Sequence, residues 1–132
     1  MAPDKVYDYV RDMGYDFFTG VPDSLLKSFQ NRIIESGSEN VIATHESQAV
    51  AIAFGAELAG KHACIYIQNS GLGNVINPLT SLCLPCGVEP LLVVGHRHTL
   101  YQHKIMGQVD ERLLNLIGYT NYIIVNGDNN VK

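Results

Sequence analysis

The chain has 132 residues, of which 46% are hydrophobic and 17% charged, and its 13 acidic and nine basic residues give a formal net charge of −4. This size suits one folded domain, and the composition excludes a disordered chain. The acidic balance argues against a nucleic-acid partner, and no apolar stretch reaches the roughly 18 residues that a membrane span needs. The first ten residues lack the apolar run of a secretory signal. Three cysteines do not make a disulfide framework, so we expect reduced thiols and a cytoplasmic location.

Predicted helices and strands alternate along the chain. Apolar residues at helical spacing, with Pro, Ser and Gly at the ends, predict helices over 3–13, 24–36 (capped by Ser24), 47–58, 75–84 and 109–117. Short apolar or aromatic runs predict strands over 15–19, 41–44, 62–68, 90–95 and 122–125. Two of these strands are apolar on both faces, which predicts a three-layer α/β/α fold with a mainly parallel sheet. We assign residues 1–125 to this domain and 126–132 to a tail or the start of a linker.

The unusual chemistry of the sequence follows the predicted strands. In a parallel α/β sheet, ligands bind at the carboxyl ends of the strands. These ends fall at 20–24, 45–46, 68–74 and 96–107. We therefore expect the functional site to be built from these four segments.

Glu46 stands between a predicted strand and a predicted helix, and its position allows two interpretations. Its carboxylate could stabilise the helix N-terminus through the helix dipole, or it could be a partly buried acid that hydrogen-bonds a ring nitrogen of a ligand. The loop over 69–74, NSGLGN, superficially resembles a dinucleotide fingerprint, but Ile76 replaces the last glycine of that motif. Its glycines either allow a ligand or partner chain to approach the backbone closely or form a tight turn.

Histidines are concentrated in the predicted loop over 96–108. His96, His98 and His103, with Arg97 among them, could bind a metal, bind a substrate anion, donate protons or be solvated. Cys83 and Cys86 have the spacing of a redox pair, but they end a predicted helix instead of beginning one. The histidines do not complete a zinc ligand set with them, so no metal site is assigned.

Four segments of the chain together resemble one family. They are GVPDSLL over 20–26, THESQAV over 44–50, IQNSGLGNVINPLTSL over 67–82 and QHKIMG over 102–107. The family is the pyrimidine-binding domain of thiamine diphosphate-dependent 2-oxo acid decarboxylases, with phosphonopyruvate decarboxylase and the alpha subunit of sulfopyruvate decarboxylase as the nearest members. The resemblance extends from about residue 3 to 125 and implies the thiamine diphosphate-binding fold.

The resemblance also implies roles for particular residues. Glu46 matches the acid that hydrogen-bonds the aminopyrimidine ring of the cofactor and favours its imino form. Asp23 and His103 match an acid and a histidine near the reacting carbon, where they would transfer protons. The residues that match the loop beside the pyrimidine are Asn69, Gly71, Gly73 and Asn74. The substrates of these decarboxylases are 2-oxo acids with a second anionic group, a phosphonate or a sulfonate. We expect that group to be bound by side chains near the end of the fourth predicted strand: His96, Arg97, His98 and Lys104.

The implied activity is that of the alpha subunit of a decarboxylase. The favoured reaction converts 3-phosphonopyruvate to phosphonoacetaldehyde and CO2. A sulfopyruvate decarboxylase subunit, a thiamine-dependent carboligase subunit and a non-catalytic assembly module are the alternatives. The segment between Arg97 and Gln102 is shorter than we expect in phosphonopyruvate decarboxylases, a departure that bears on the substrate.

The resemblance finally implies a partner. The sequence GDNN over 127–130 lacks the second glycine and the spacing of the family's magnesium-binding motif. We therefore expect a beta subunit that carries the diphosphate-binding domain and holds Mg2+. The expected assembly is α2β2 or a multiple of it, with Glu46 facing the partner. The helices over 47–58 and 75–84 are expected to supply apolar contact surface, and the chain alone is expected to self-associate.

Overall fold

A computed structural model describes residues 1–127, which form one five-stranded sheet and the helices packed on it. The strands are β1 (Phe17–Gly20), β2 (Glu39–Ile42), β3 (Ala63–Gln68), β4 (Leu91–His96) and β5 (Tyr122–Asn126). Their spatial order is β2-β1-β3-β4-β5, and every neighbouring pair is parallel.

The first helix precedes β1, and the others connect successive strands. They are α1 (Val6–Asp12), α2 (Lys27–Ser36), α3 (Glu46–Leu58), α4 (Ile76–Pro78), α5 (Leu84–Cys86) and α6 (Lys104–Ile117). Short 3₁₀ turns cover Pro3–Lys5, Ser24–Leu26, Asn69–Asn74 and Tyr101–His103. Within residues 1–127, no helix is both long and apolar enough to cross a membrane.

Each face of the sheet carries its own hydrophobic core. Side chains alternate across a strand, so Ile65 and Ile67 of β3 face one core while Cys64 and Tyr66 face the other. The first core packs against α3, the 69–86 region and α6, and the second packs against α1 and α2. The inner strands β3 and β4 are each buried along five consecutive residues, and the third inner strand, β1, along all four, because helices cover both of their faces. The predicted three-layer α/β/α fold is confirmed.

The largest difference from the predicted elements is the last helix. The helix expected from residue 109 begins at Lys104, directly after the 3₁₀ turn Tyr101–His103, so the predicted loop is much shorter. Gly107 lowers helix propensity and obscures this start in the sequence. Its missing side chain allows close packing, since a Cβ at Gly107 would lie 2.5 Å from Cβ of His98.

Other boundaries differ by a few residues. Ser24 was expected to cap a helix, but it lies inside the 3₁₀ turn and Asp23 occupies the N-cap position. The predicted loop over 69–74 is itself a 3₁₀ turn. The helix expected over 75–84 reaches Cys86 and contains a π-helical turn, Leu79–Cys83, between the two prolines that remove backbone donors.

The bounds of β1 and β2 and the end of the last strand also differ from the predicted ones. β1 and β2 run over Phe17–Gly20 and Glu39–Ile42, one to two residues away from the predicted bounds, and β2 is an exposed edge strand. The last strand includes Asn126, which was assigned to the tail. Positions 128–130 of the GDNN motif lie outside the described residues, and the domain boundary at 125 stays a prediction.

Candidate active site at the carboxyl edge of the sheet

The four expected segments lie at one edge of the sheet. All five strands are parallel, so the residues that follow them share the carboxyl edge. The chain passes from β1 to β2 on one side and continues through β3, β4 and β5 on the other, which places the topological switch point between β1 and β3. Ligands of such sheets bind in the crevice outside this point.

Glu46 is the first residue of α3 and is held by neighbours from the 69–74 turn. Its Oε2 accepts a hydrogen bond from Nδ2 of Asn74 at 3.0 Å, and its side chain is 17% exposed. A Cβ at Gly71 would lie 2.5 Å from Cγ of Glu46 and 2.7 Å from its Oε1. The N-cap of α3 is His45, whose Nδ1 accepts from the backbone N–H of Ser47 at 3.2 Å. The Glu46 carboxylate is therefore not the group that caps this helix.

Asp23 forms a buried ion pair with Arg97 across the switch point. Oδ1 of Asp23 accepts from Nη2 of Arg97 at 2.9 Å and from Nε at 3.3 Å, and the two side chains are 3% and 25% exposed. Nη2 also donates to Oγ of Ser24. Oδ2 of Asp23 is buried and has no hydrogen-bond partner in the described part of the chain. This ion pair joins the segment after β1 to the segment after β4.

A second polar cluster joins β4 to α6. Nδ1 of His96 contacts Oδ2 of Asp110, and the same oxygen accepts from Nδ2 of Asn69 at 3.1 Å. The side chains of Asp110 and His96 are 6% and 17% exposed. The ring of His98 stacks on that of His96 with centroids 4.9 Å apart. Asn69, expected beside the cofactor, is fully buried and donates to Asp110 and to the Arg97 carbonyl.

The remaining expected residues lie around these clusters. Nδ1 of His103 is 3.5 Å from Nε2 of Gln68, which places His103 at the end of β3. Lys104 is exposed at the start of α6. Gly73 is exposed, and a Cβ there would have nothing within 4 Å. The roles of these residues stay predictions.

Asp110 is the polar residue of this edge that the sequence analysis missed. It is 4% exposed and lies on the buried face of α6, one turn before Leu114. An acid at an apolar position of an amphipathic helix was the signal in the sequence, because such a group needs buried donors.

The cysteines are all free, and they differ in burial. Cys64 and Cys83 are buried, whereas Cys86 is exposed. Burial raises the pKa of the Cys83 thiol to about 11, with smaller contributions from Cys86 and Glu89. Within residues 1–127, no group of three or more His, Cys, Asp or Glu side chains could hold a metal ion.

Curated proteins of known name share much of the sequence. The chain is 37% identical over 122 residues to the alpha subunit of sulfopyruvate decarboxylase from Methanocaldococcus jannaschii, a match that covers 89% of this chain and 72% of that subunit. It is 34% identical over 122 residues to the alpha subunit from Methanococcus maripaludis, covering 88% of this chain and 72% of that one. It is also 37% identical over 110 residues to phosphonopyruvate decarboxylase from Streptomyces viridochromogenes, covering 79% of this chain but 28% of that protein.

A solved structure shares the fold. It is the 2-oxoglutarate:ferredoxin oxidoreductase from Magnetococcus marinus, with a TM-score of 0.66 and 20% identity. The match covers 96% of this chain and 28% of that chain. No family model matches the sequence. The identity and coverage of the archaeal matches show that this chain belongs to the decarboxylase family that includes sulfopyruvate decarboxylase alpha subunits and phosphonopyruvate decarboxylases.

Proposed function

We propose that this chain is the pyrimidine-domain subunit of a thiamine diphosphate-dependent decarboxylase that acts on an anionic 2-oxo acid. The observation that carries the proposal is the Glu46 carboxylate, which Asn74 and Gly71 hold at the carboxyl edge of the sheet. Family membership supports the reaction type, and the resemblance of THESQAV to the pyrimidine-binding motif supports the role of Glu46.

The residues of this edge suit the cofactor. Asn74 donates to Oε2 of Glu46, and Oε1 accepts no hydrogen bond within residues 1–127, so it can bond a pyrimidine nitrogen. Oδ2 of Asp23 is a second buried acceptor without a partner in the described chain. Thiamine diphosphate, when bound, supplies the electron sink that carboxylate loss requires. In our proposal Glu46 binds and polarises the pyrimidine, while Asp23 and His103 transfer protons near the substrate.

The substrate is proposed to be a three-carbon 2-oxo acid with a second anionic group. We propose 3-phosphonopyruvate, with sulfopyruvate as the alternative, since relatives of similar identity carry either name. The guanidinium of Arg97 and the stacked pair His96–His98 lie together after β4 and offer donors to a phosphonate or sulfonate. Lys104 at the start of α6 adds a positive charge to the same region.

A beta subunit is proposed to complete the site. The closely matching relatives of comparable coverage are named subunit alpha, which implies a partner subunit for them. We propose that the partner of this chain binds the diphosphate and Mg2+, and that the complex is α2β2 or a multiple of it. A cytoplasmic location fits its free thiols.

The decisive experiment substitutes Glu46→Gln in the complex reconstituted with the beta subunit. The amide keeps an oxygen for Asn74 but cannot polarise the pyrimidine as a carboxylate does, so we expect turnover to fall by about 10² to 10⁴. Glu35→Gln, which makes the same change at an exposed position of α2, should leave turnover intact. A Glu46→Gln complex with a near-normal rate would contradict the proposal.

Product analysis separates the other candidates. A decarboxylase releases the aldehyde alone, whereas a carboligase couples it to a ketol. A wild-type complex that converts no 2-oxo acid would support the assembly module.

A further inference from the structure

The clearest group that the proposed mechanism does not use is the Asp110 carboxylate. Asp110 is 4% exposed and lies in the second turn of α6, in contact with His96, the last residue of β4. Its Oδ1 accepts from the backbone N–H of Glu111 at 2.8 Å, and its Oδ2 accepts from Nδ2 of Asn69 at 3.1 Å and contacts Nδ1 of His96. These three neighbours satisfy the buried carboxylate as a hydrogen-bond acceptor and fix its orientation.

These contacts determine which nitrogen of His96 carries the proton. An ionised carboxylate only accepts hydrogen bonds, so Nδ1 of His96 must be the donor in its contact with Asp110. The Asn69 amide faces Asp110 through its nitrogen, because the same nitrogen donates to the Arg97 carbonyl at 2.9 Å and a flipped amide would set its oxygen against two acceptors. The Nε2 atom is therefore the ring nitrogen left for another partner.

We propose that Asp110 is a positioning residue, which accepts from Nδ1–H of His96 and stabilises the doubly protonated ring, so that Nε2–H donates to the second anionic group of the substrate. The substrate contact rests on the proposed function. His98 stacks on the His96 ring from the 97–100 segment and limits its rotation. Carboxylate–histidine pairs orient functional histidines in the same way at metal sites.

The first test measures the His96 ring directly in the full 132-residue chain. Nitrogen-15 spectra of the histidine rings, assigned through a His96→Gln variant, report which nitrogen is protonated. We expect Nδ1 of His96 to carry a proton at every pH tested, although free neutral imidazole prefers the Nε2–H form. A neutral His96 ring with a bare Nδ1 would overturn the proposal, and this result requires no Asp110 variant to fold.

The second test uses Asp110→Asn with Glu111→Gln as its matched control. Both remove one acid from adjacent positions of α6, but Glu111 is exposed. An amide at 110 keeps one acceptor oxygen where the carboxylate uses two, so it cannot accept from the Glu111 N–H and from His96 and Asn69 together. The Nε2–H form of the neutral His96 ring should therefore gain population in Asp110→Asn and stay unchanged in Glu111→Gln. An Asp110→Asn spectrum identical to that of the wild type would contradict the proposal.

The kinetic readout distinguishes positioning from a purely structural role. In the reconstituted complex, Asp110→Asn removes the negative charge that stabilises the doubly protonated His96 ring, so KM for 3-phosphonopyruvate or sulfopyruvate should rise by roughly tenfold or more, the effect of losing a charge-assisted hydrogen bond, while kcat changes little. Equal KM values for Asp110→Asn and the control would overturn the substrate contact. A wild-type complex without decarboxylase activity would overturn the proposed function and that contact, whereas the ring spectra would still decide the role of Asp110.

Discussion

Gly71 and Glu46 are in direct contact, and the contact leaves no room for a side chain at position 71. A methyl group there would lie 2.5 Å from Cγ of Glu46 and 2.7 Å from its Oε1. The 69–74 turn therefore fixes the carboxylate from two directions, through Gly71 on one side and Asn74 on the other. A glycine in this turn serves the placement of an acid 25 residues earlier in the chain.

Gly71→Ala should inactivate the complex without unfolding the subunit. The new methyl group would displace the Glu46 carboxylate, and a misplacement of about 1 Å can lower turnover about 10²-fold. The measurement is kcat in the reconstituted complex, with circular dichroism to confirm the fold.

Gly55→Ala, in α3, is the matched control, because a Cβ at Gly55 meets nothing within 4 Å. It should retain near-normal turnover. Equal activity of the two variants would show that the contact between Gly71 and Glu46 has no part in catalysis.

The Asp23–Arg97 ion pair should contribute to stability as well as to the site. Arg97→Met leaves the buried Asp23 carboxylate uncompensated and should lower the free energy of unfolding by about 2–3 kcal/mol, somewhat less than for a fully buried pair because Arg97 is partly exposed. Urea denaturation of the single variants and of Asp23→Asn/Arg97→Met should show that the double variant loses less than the sum.

A surface pair provides the control for that cycle. Nζ of Lys61 lies 3.2 Å from Oε1 of Glu39, but both side chains are well exposed. Lys61→Met should therefore change the free energy of unfolding by less than about 1 kcal/mol. If Arg97→Met lowered the free energy of unfolding by no more than Lys61→Met does, the expected effect of burial at the Asp23–Arg97 pair would be wrong.

Cofactor retention should depend on the beta subunit. We expect the isolated chain to be inactive and to bind thiamine diphosphate weakly, whereas the reconstituted complex should retain it through gel filtration. Exposed apolar side chains favour self-association of the isolated chain. Light scattering should detect this self-association, and a stable monomer that ignores its partner would contradict the interface prediction.

The apolar surface differs from the one expected from the sequence. Within 47–58 and 75–84, Leu58 is the large hydrophobic residue that remains exposed, because the others are partly or fully buried. Strongly exposed large hydrophobics instead include Tyr101, Ile105 and Leu116, in α6 and the turn before it. The hydrophobicity of a helix does not by itself show which of its faces packs against the sheet of the same chain.

The sequence was sufficient for the fold class and for the edge of the sheet at which the candidate residues lie together. Buried strands such as β3 and β4 are apolar runs, and parallel pairing then places Asp23, Glu46 and Arg97 at one edge. Pairwise contacts between distant segments could not be predicted, since the Asp23–Arg97 pair and the Asp110–His96 pair depend on packing. The start of α6 was predicted too late because Gly107 has a low helix propensity. Helix propensity does not reflect that Gly107 allows close packing against His98.

Thiol reactivity tests whether Cys83 and Cys86 form a redox pair. Thiolates are the reactive form, and burial raises the pKa of Cys83 to about 11. At about pH 8, roughly a thousandth of this thiol is ionised, so its reaction with a thiol reagent should be slow until the chain unfolds.

Cys64 is fully buried and burial also raises its pKa, whereas Cys86 is exposed. We therefore expect one fast equivalent in the folded chain, lost in Cys86→Ser, and three after unfolding. Rapid joint oxidation of Cys83 and Cys86 by mild oxidant, without loss of fold, would contradict this and restore the redox interpretation.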